Sequence, residues 1–144
     1  MDDCKPTSTP FMSGVNLEAS CSSPLVDATL YRQLVVSLVY LTHMRPNISY
    51  VVGLVSRFMQ EPHELHWKAS QRILYCIQDT HNYRIHYAVD MDIDLVGYTD
   101  SDWAGDSKDF RSTLGYCFSL GSGSVSWSSK KQSAIALSST EAEY

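Results

Sequence analysis

The chain changes its hydrophobic period once, near Tyr83, and that change limits its fold more than any other feature. Before Tyr83, apolar residues recur every three or four positions; after it, they alternate with polar ones. A repeat near 3.6 buries one stripe of a helix, whereas a repeat of 2 buries one face of a strand. Helices followed by strands predict an α+β architecture.

Residues 1–26 are rich in Ser, Thr and Pro and read as an extended lead-in. Asp27 is placed to cap a helix over Ala28–His43, its carboxylate accepting from the first free amides. Leu30, Leu34, Leu38 and Leu41 form the expected apolar stripe. Pro46 stops that helix. A second run, Ile48–Gln60, carries Val51, Val52, Val55, Phe58 and Met59 on adjacent stripes; its β-branched residues make it depend on packing. After Pro62 a third helix is expected over His63–Thr80, with Leu65, Ala69, Ile73, Cys76 and Ile77 near one face. Residues 27–82 thus form a helical connection segment.

Ile85, Tyr87 and Val89 then alternate with polar neighbours, and Asp90–Asp94 makes an acidic turn. Strands are expected over Leu95–Trp103, Gly115–Leu120 and Ser124–Ser129, the last two joined by a tight turn at Gly121-Ser-Gly123. Ser138-Ser-Thr-Glu141 has the form of a capping box, in which Ser138 starts a helix and Glu141 reaches back to it.

Across 144 residues the formal net charge is −5 with a pI near 5.4. Affinity for nucleic acid comes largely from Lys and Arg displacing counterions, so the acidic balance argues against a free-standing, tight nucleic-acid binder. Cysteines at 4, 21, 76 and 117 form no close pair, which disfavours a disulfide framework or a zinc site. Neither a conventional signal peptide nor an apolar run of about 18 residues is visible, so no membrane association is expected.

Two acidic stretches stand out. Tyr98-Thr-Asp-Ser-Asp-Trp-Ala-Gly-Asp106 ends a strand in carboxylates, and Ala136-Leu-Ser-Ser-Thr-Glu-Ala-Glu-Tyr144 opens a helix with more. Carboxylates are hard oxygen donors suited to magnesium. His63 and His66 flank Glu64 without a third ligand nearby and are read as surface or packing residues. Lys130-Lys131 is read as a solvated strand end that can also touch a phosphate. Ser128, Ser129, Ser138 and Ser139 lack a nucleophile elbow. Trp67, Trp103 and Trp127 are read as core aromatics.

In order along the chain, Cys4-Lys-Pro-Thr-Ser-Thr-Pro10, Tyr31-Arg-Gln-Leu-Val35, Leu38-Val-Tyr-Leu-Thr42, Arg45-Pro-Asn-Ile48, Ser56-Arg-Phe-Met59 and His66-Trp67 precede the first acidic stretch. Ser126-Trp-Ser-Ser-Lys-Lys-Gln132 precedes the second. This series resembles the Pol polyprotein of copia-type LTR retrotransposons, from the end of reverse transcriptase into RNase H. The resemblance implies a helical connection segment followed, over 83–144, by a truncated RNase H-like antiparallel three-strand sheet and the start of a helix. It also implies that Asp100 and Glu143 are the family's metal-holding carboxylates, with Mg2+ as cofactor and an RNA–DNA hybrid as partner. Asp102 and Glu141 are the neighbours most easily confused with them.

The family's two later aspartates would fall beyond Tyr144, so Asp100 and Glu143 are expected to be vestigial, with weak magnesium binding and no efficient catalysis. Tyr75-Cys-Ile-Gln-Asp-Thr80 and Asp109-Phe-Arg-Ser-Thr-Leu-Gly-Tyr116 also lack basic residues usual in the family, which weakens phosphate contacts. A cytoplasmic or nuclear retroelement product follows. A second class comes from Arg72, Ile73, Leu74 and Tyr75, one residue away from the Arg-x-Leu-Arg signature of oomycete effectors. That alternative is a secreted, non-enzymatic protein that acts on a partner in host plant cells to suppress cell death.

Overall fold

The computed structural model describes residues 7–12, 14–18, 23–89, 93–102 and 110–143, with the side chains of residues 142 and 143 outside that description. The chain divides into two units, Met1–Arg84 and Ile85–Tyr144. Together they are α+β, helices first and strands after. Among the described residues no helix is long and apolar enough to cross a membrane.

The first unit is built from α1 (Ala28–Leu41), a 3-10 turn (Pro46–Ile48), α2 (Ser49–Ser56) and α3 (Glu64–Asp79). Asp27 caps α1 as expected: its Oδ1 accepts from the Thr29 amide at 2.7 Å and the Leu30 amide at 3.3 Å. The buried stripe, however, is Tyr31, Val35 and Leu38, with Leu34 and Leu41 at its flank. Leu30 is 54% exposed, contrary to the expected stripe. Tyr31 takes the inward position because its hydroxyl donates to the Val55 carbonyl at 2.8 Å, so its burial leaves no orphaned polar group. Burial pushes the Tyr31 phenol up to about 12, with the Ser70 hydrogen bond acting in the opposite direction.

α2 ends at Ser56, four residues before the expected Gln60. The Arg57 and Phe58 amides turn to carbonyls three residues back, Leu54 and Val55, each at 3.2 Å. This tighter turn ends the helix, and Arg32 Nε then takes the Met59 carbonyl at 3.0 Å. Val51, Val52 and Val55 are buried beside Ile48 and Ile73, so packing supplies what propensity withholds.

α3 begins at a histidine pair. The His63 amide donates to His66 Nδ1 at 3.0 Å, and His66 Nε2 lies 2.9 Å from the Leu17 carbonyl. Since Nδ1 accepts, the proton sits on Nε2 and donates to Leu17: the ring is neutral in one tautomer. His66 is 1% exposed and stacks on Phe58 at 3.9 Å. Burial holds it below the ordinary histidine range, the Leu17 bond opposing that shift and the charge of His63 adding to it. His66 is therefore a packing residue that ties the lead-in to α3. The Glu64 amide donates to the Pro24 carbonyl and the Val26 amide to that of Pro62, completing the tie.

The second unit is an antiparallel sheet of β1 (Leu95–Asp102), β2 (Thr113–Leu120) and β3 (Gly123–Lys131), in that order, followed by α4 (Ser139–Glu143). Gly121, at φ 57°, provides the left-handed turn residue between β2 and β3. The register shifts between Phe118 and Ser119, which leaves Val125 as the extra residue of a bulge. The alternation at Ile85, Tyr87 and Val89 does not make a strand. Tyr87 instead donates its hydroxyl to the Ser124 carbonyl at 2.7 Å, and the Ala88 amide donates to Ser122 Oγ at 2.8 Å. The Tyr87 ring lies over Gly123, where a Cβ would meet it at 2.5 Å. Side-chain bonds to the hairpin have replaced a ladder.

Candidate functional site

Asp100 lies on β1, opposite Gly115 on β2, which in turn faces Ser129 on β3. Paired residues of an antiparallel sheet point to the same face. Asp100, Gly115 and Ser129 therefore form one cross-strand row, and Asp102, Thr113 and Lys131 the next row on that face. Because Gly115 has no side chain, the carboxylate faces open space over β2. Its Oδ1 accepts from the Ser101 amide at 2.9 Å, and the residue is exposed. In the described sheet β1 is an edge strand and β2 the centre, so Asp100 stands on an edge strand of that sheet.

α4 packs against β1. Its start follows the predicted cap: the Glu141 amide donates to Ser138 Oγ at 3.1 Å. Glu141 Oε2 accepts from the Leu137 amide at 2.7 Å, one residue before the cap position. Glu141 is thus committed to starting the helix, which separates it in role from Glu143. Glu143 occupies the last position of α4, and its side chain lies outside the described residues. Trp103, Asp106 and Asp109 lie outside them as well.

The donor chemistry at Asp100 fits a hydrated magnesium ion. It is a hard oxygen donor, exposed, with a glycine opposite that leaves room for the waters such an ion retains. Among the described residues no group of three or more His, Cys, Asp or Glu side chains is gathered for a metal.

Arg72, Ile73, Leu74 and Tyr75 all lie within α3. Ile73 is fully buried in the core, Leu74 packs against it, and the Arg72 guanidinium donates to Thr9 Oγ1 at 2.9 Å. These residues are parts of a helix and its packing. The Gly115 gap carries no signal in the sequence, and neither does the placing of Ser129 and Lys131 on the face of Asp100. Only the strand register reveals them, because nothing in the local sequence says which residues of β2 and β3 stand opposite Asp100.

The chain is 44% identical to the retrovirus-related Pol polyprotein from transposon RE1 of Arabidopsis thaliana, over 100% of its own length and 10% of that protein. It is 42% identical to the corresponding polyprotein from transposon RE2 of the same plant, over 97% of the chain and again 10% of the relative. The chain thus spans about a tenth of the length of these polyproteins. It is also 45% identical to secreted RxLR effector protein 161 of Plasmopara viticola, over 79% of the chain and 81% of that protein. No family profile and no solved structure matches it.

Proposed function

This chain belongs to the retrovirus-related Pol family of copia-type transposons, and we propose that it corresponds to the stretch running from the reverse transcriptase connection into RNase H. In this reading Asp100 and Glu143 are the carboxylates that hold divalent metal, and an RNA–DNA hybrid is the partner. One observation carries it: α4, which ends at Glu143, packs against β1, which bears Asp100 on an exposed face. A divalent ion held there would activate water and neutralise charge on a phosphodiester. Asp100 contributes an acceptor already turned by the Ser101 amide, and Gly115 contributes the space. The unit's own contribution is to bind and orient. Two carboxylates on exposed elements give weak metal binding, so hybrid turnover by the chain alone is expected to be slow. Its cellular place in this reading is that of a retroelement product, cytoplasmic or nuclear.

Manganese titration followed by NMR tests the reading. Paramagnetic broadening should centre on β1 and α4 and vanish in Asp100→Asn. No broadening there would remove the metal role. Rapid cleavage of a hybrid, abolished by Asp100→Asn, would show a competent nuclease instead of a weak site.

The second reading is a secreted, non-enzymatic effector that suppresses host plant cell death, favoured by the likeness to the Plasmopara protein across most of that protein's length. The folding of Arg72–Tyr75 into α3 counts against recognition of those four residues as an exposed linear signal. This reading requires a host-cell phenotype that survives both Asp100→Asn and Glu143→Gln; the Pol reading requires none.

A further inference from the structure

The lead-in lies against the helical unit through apolar side chains. Leu17 belongs to the buried cluster, and Phe11 and Val15 pack on it. Two histidines at the start of α3 also hold this segment by its backbone. His66 Nε2 donates to the Leu17 carbonyl at 2.9 Å while its Nδ1 accepts from the His63 amide at 3.0 Å. His63 Nδ1 lies 2.6 Å from the Ser23 carbonyl. A carbonyl only accepts, so this nitrogen carries a proton and donates. The two rings therefore answer acid differently. A second proton on His63 goes to Nε2 and leaves the bond to Ser23 in place. On His66 the open position is Nδ1, the acceptor. Protonation there sets one donor against another in a residue 1% exposed to solvent. Burial, and then the charge of His63, oppose that proton, while the Leu17 bond favours it. The other ionisable neighbours are engaged elsewhere. Glu64 pairs with Lys68 at 2.7 Å, and Tyr31 bonds the Val55 carbonyl and Ser70, whose hydroxyl donates to the His66 carbonyl. Glu18 follows Leu17 on the lead-in, and Arg57 and Glu61 lie along the turn that carries Phe58, the ring stacked on His66.

We propose that the part of the lead-in bearing Phe11, Val15 and Leu17 is an acid-released strap, latched to the helical unit by His66. The latch is complete only while the His66 ring is neutral. Acid breaks the bond from the His63 amide, and the buried charge is relieved when Leu17 lifts and water reaches the ring. The neighbouring segment stays. Ser23 keeps its bond to His63, the Pro24 carbonyl accepts from the Glu64 amide at 2.8 Å, and the Val26 amide donates to Pro62 at 3.0 Å. None of these bonds changes when a proton is taken up. Towards its other end the strap is held at Thr9, whose Oγ1 accepts from Arg72 at 2.9 Å on the exposed surface, a bond that exchanges with water. The closed state binds the His66 proton less well than the open one. Closure is thus intact above 6.5 and is lost as pH falls from there through the folded value. One proton is taken up, so the ratio of open to closed chains rises by at most about tenfold per pH unit. Opening uncovers apolar surface, the strap's own Phe11 and Val15 and the part of the cluster that Leu17 completes.

The test is NMR of the whole chain between about pH 8 and about pH 4, following the His66 ring nitrogens and the methyl groups of Val15, Leu17 and Leu25. The Val15 and Leu17 methyls should move to exposed positions in step with protonation of His66. Leu25 and the cluster methyls of Val35, Leu38 and Ile48 should hold their places, and an apolar dye should bind over the same range. His66→Gln supplies an amide that accepts and donates like the neutral ring but takes no proton. It should keep the strap closed throughout and abolish the step. His63→Gln removes the charge that acts on His66 and should move the step to higher pH. Leu17 and Leu38 moving together would show plain acid unfolding and overturn the strap. So would a Leu17 step unlinked to the His66 ring, a protonated ring with Leu17 still in place, or a step unchanged in His66→Gln. If the glutamine variant is open even at about pH 8, the wild-type comparison of ring and methyls decides by itself. No metal and no Asp100 chemistry enters these measurements, so their failure leaves the Pol reading standing.

Discussion

The two units solve the burial problem differently. In the helical unit, Tyr31, Val35, Leu38, Ile48, Val52, Val55 and Ile73 are almost completely buried in one cluster. In the sheet unit the described strands leave Leu95 67% and Tyr98 65% exposed, and the ladder itself is the main cohesive element. Apolar burial contributes roughly 25 cal/mol per Å2, whereas a hydrogen bond exchanged with water contributes about 1 kcal/mol net. Among the described residues the helical unit therefore holds most of the enclosed apolar surface, and the sheet unit carries the exposed Asp100 with little core beneath it.

The contrast breaks most visibly at Ile73. Ile73→Ala should cost about 2–5 kcal/mol, since the side chain is fully enclosed. Leu95→Ala should stay within about 0.5 kcal/mol. Urea unfolding followed by helical circular dichroism compares the two, and equal losses would show that the sheet has an unrecognised core. Next comes Gly97→Ala. A Cβ at that position would meet the Phe118 ring at 2.5 Å, so about 1–3 kcal/mol of overpacking is expected, read as faster amide exchange in β1 and β2. Unchanged exchange would mean that the ring has a free alternative place.

His66 sharpens the comparison through pH. Its folded pKa is depressed below the ordinary 6.5, so its contribution is intact above that value and is lost as pH falls towards the folded pKa. The helical unit should lose stability by at most about 1.4 kcal/mol per pH unit from this one group. Protonation would place a hydrogen on Nδ1 facing the His63 amide, and the tie to Leu17 would strain with it. His66→Gln should flatten that slope in chemical denaturation at stepped pH, and a slope unchanged by the substitution would assign it elsewhere. Tyr31→Phe removes the donor of the Val55 carbonyl and should cost about 1 kcal/mol. Tyr31 has a folded pKa of about 12 against 10.0 unfolded, so wild type should also lose stability as pH rises from 10.0 to about 12. The phenylalanine variant should not show that loss.

Much of this was legible in the sequence, for definite reasons. The Asp27 cap, the Pro46 and Pro62 breaks, the Gly121 turn and the Ser138–Glu141 cap are local events, settled within a few residues of backbone. Less legible were the facing of α1 and the end of α2. Choosing Tyr31 over Leu30 required knowing that the Val55 carbonyl would stand within reach, and shortening α2 required the tighter bonds to Leu54 and Val55. Ile85, Tyr87 and Val89 carried a strand's alternation, yet the Tyr87 hydroxyl found Ser124 and the segment stayed irregular.

The sequence by itself determined the order of helices and strands, the caps and turns, and membership of the Pol family, because propensity, capping and descent are written in short stretches. Only the tertiary structure decided the neutral His66 tautomer, the edge position of Asp100, and the row that sets it beside Gly115 and Ser129. Each of these depends on residues far apart in the chain, and the energy that fixes them appears only once register and packing have brought those residues together.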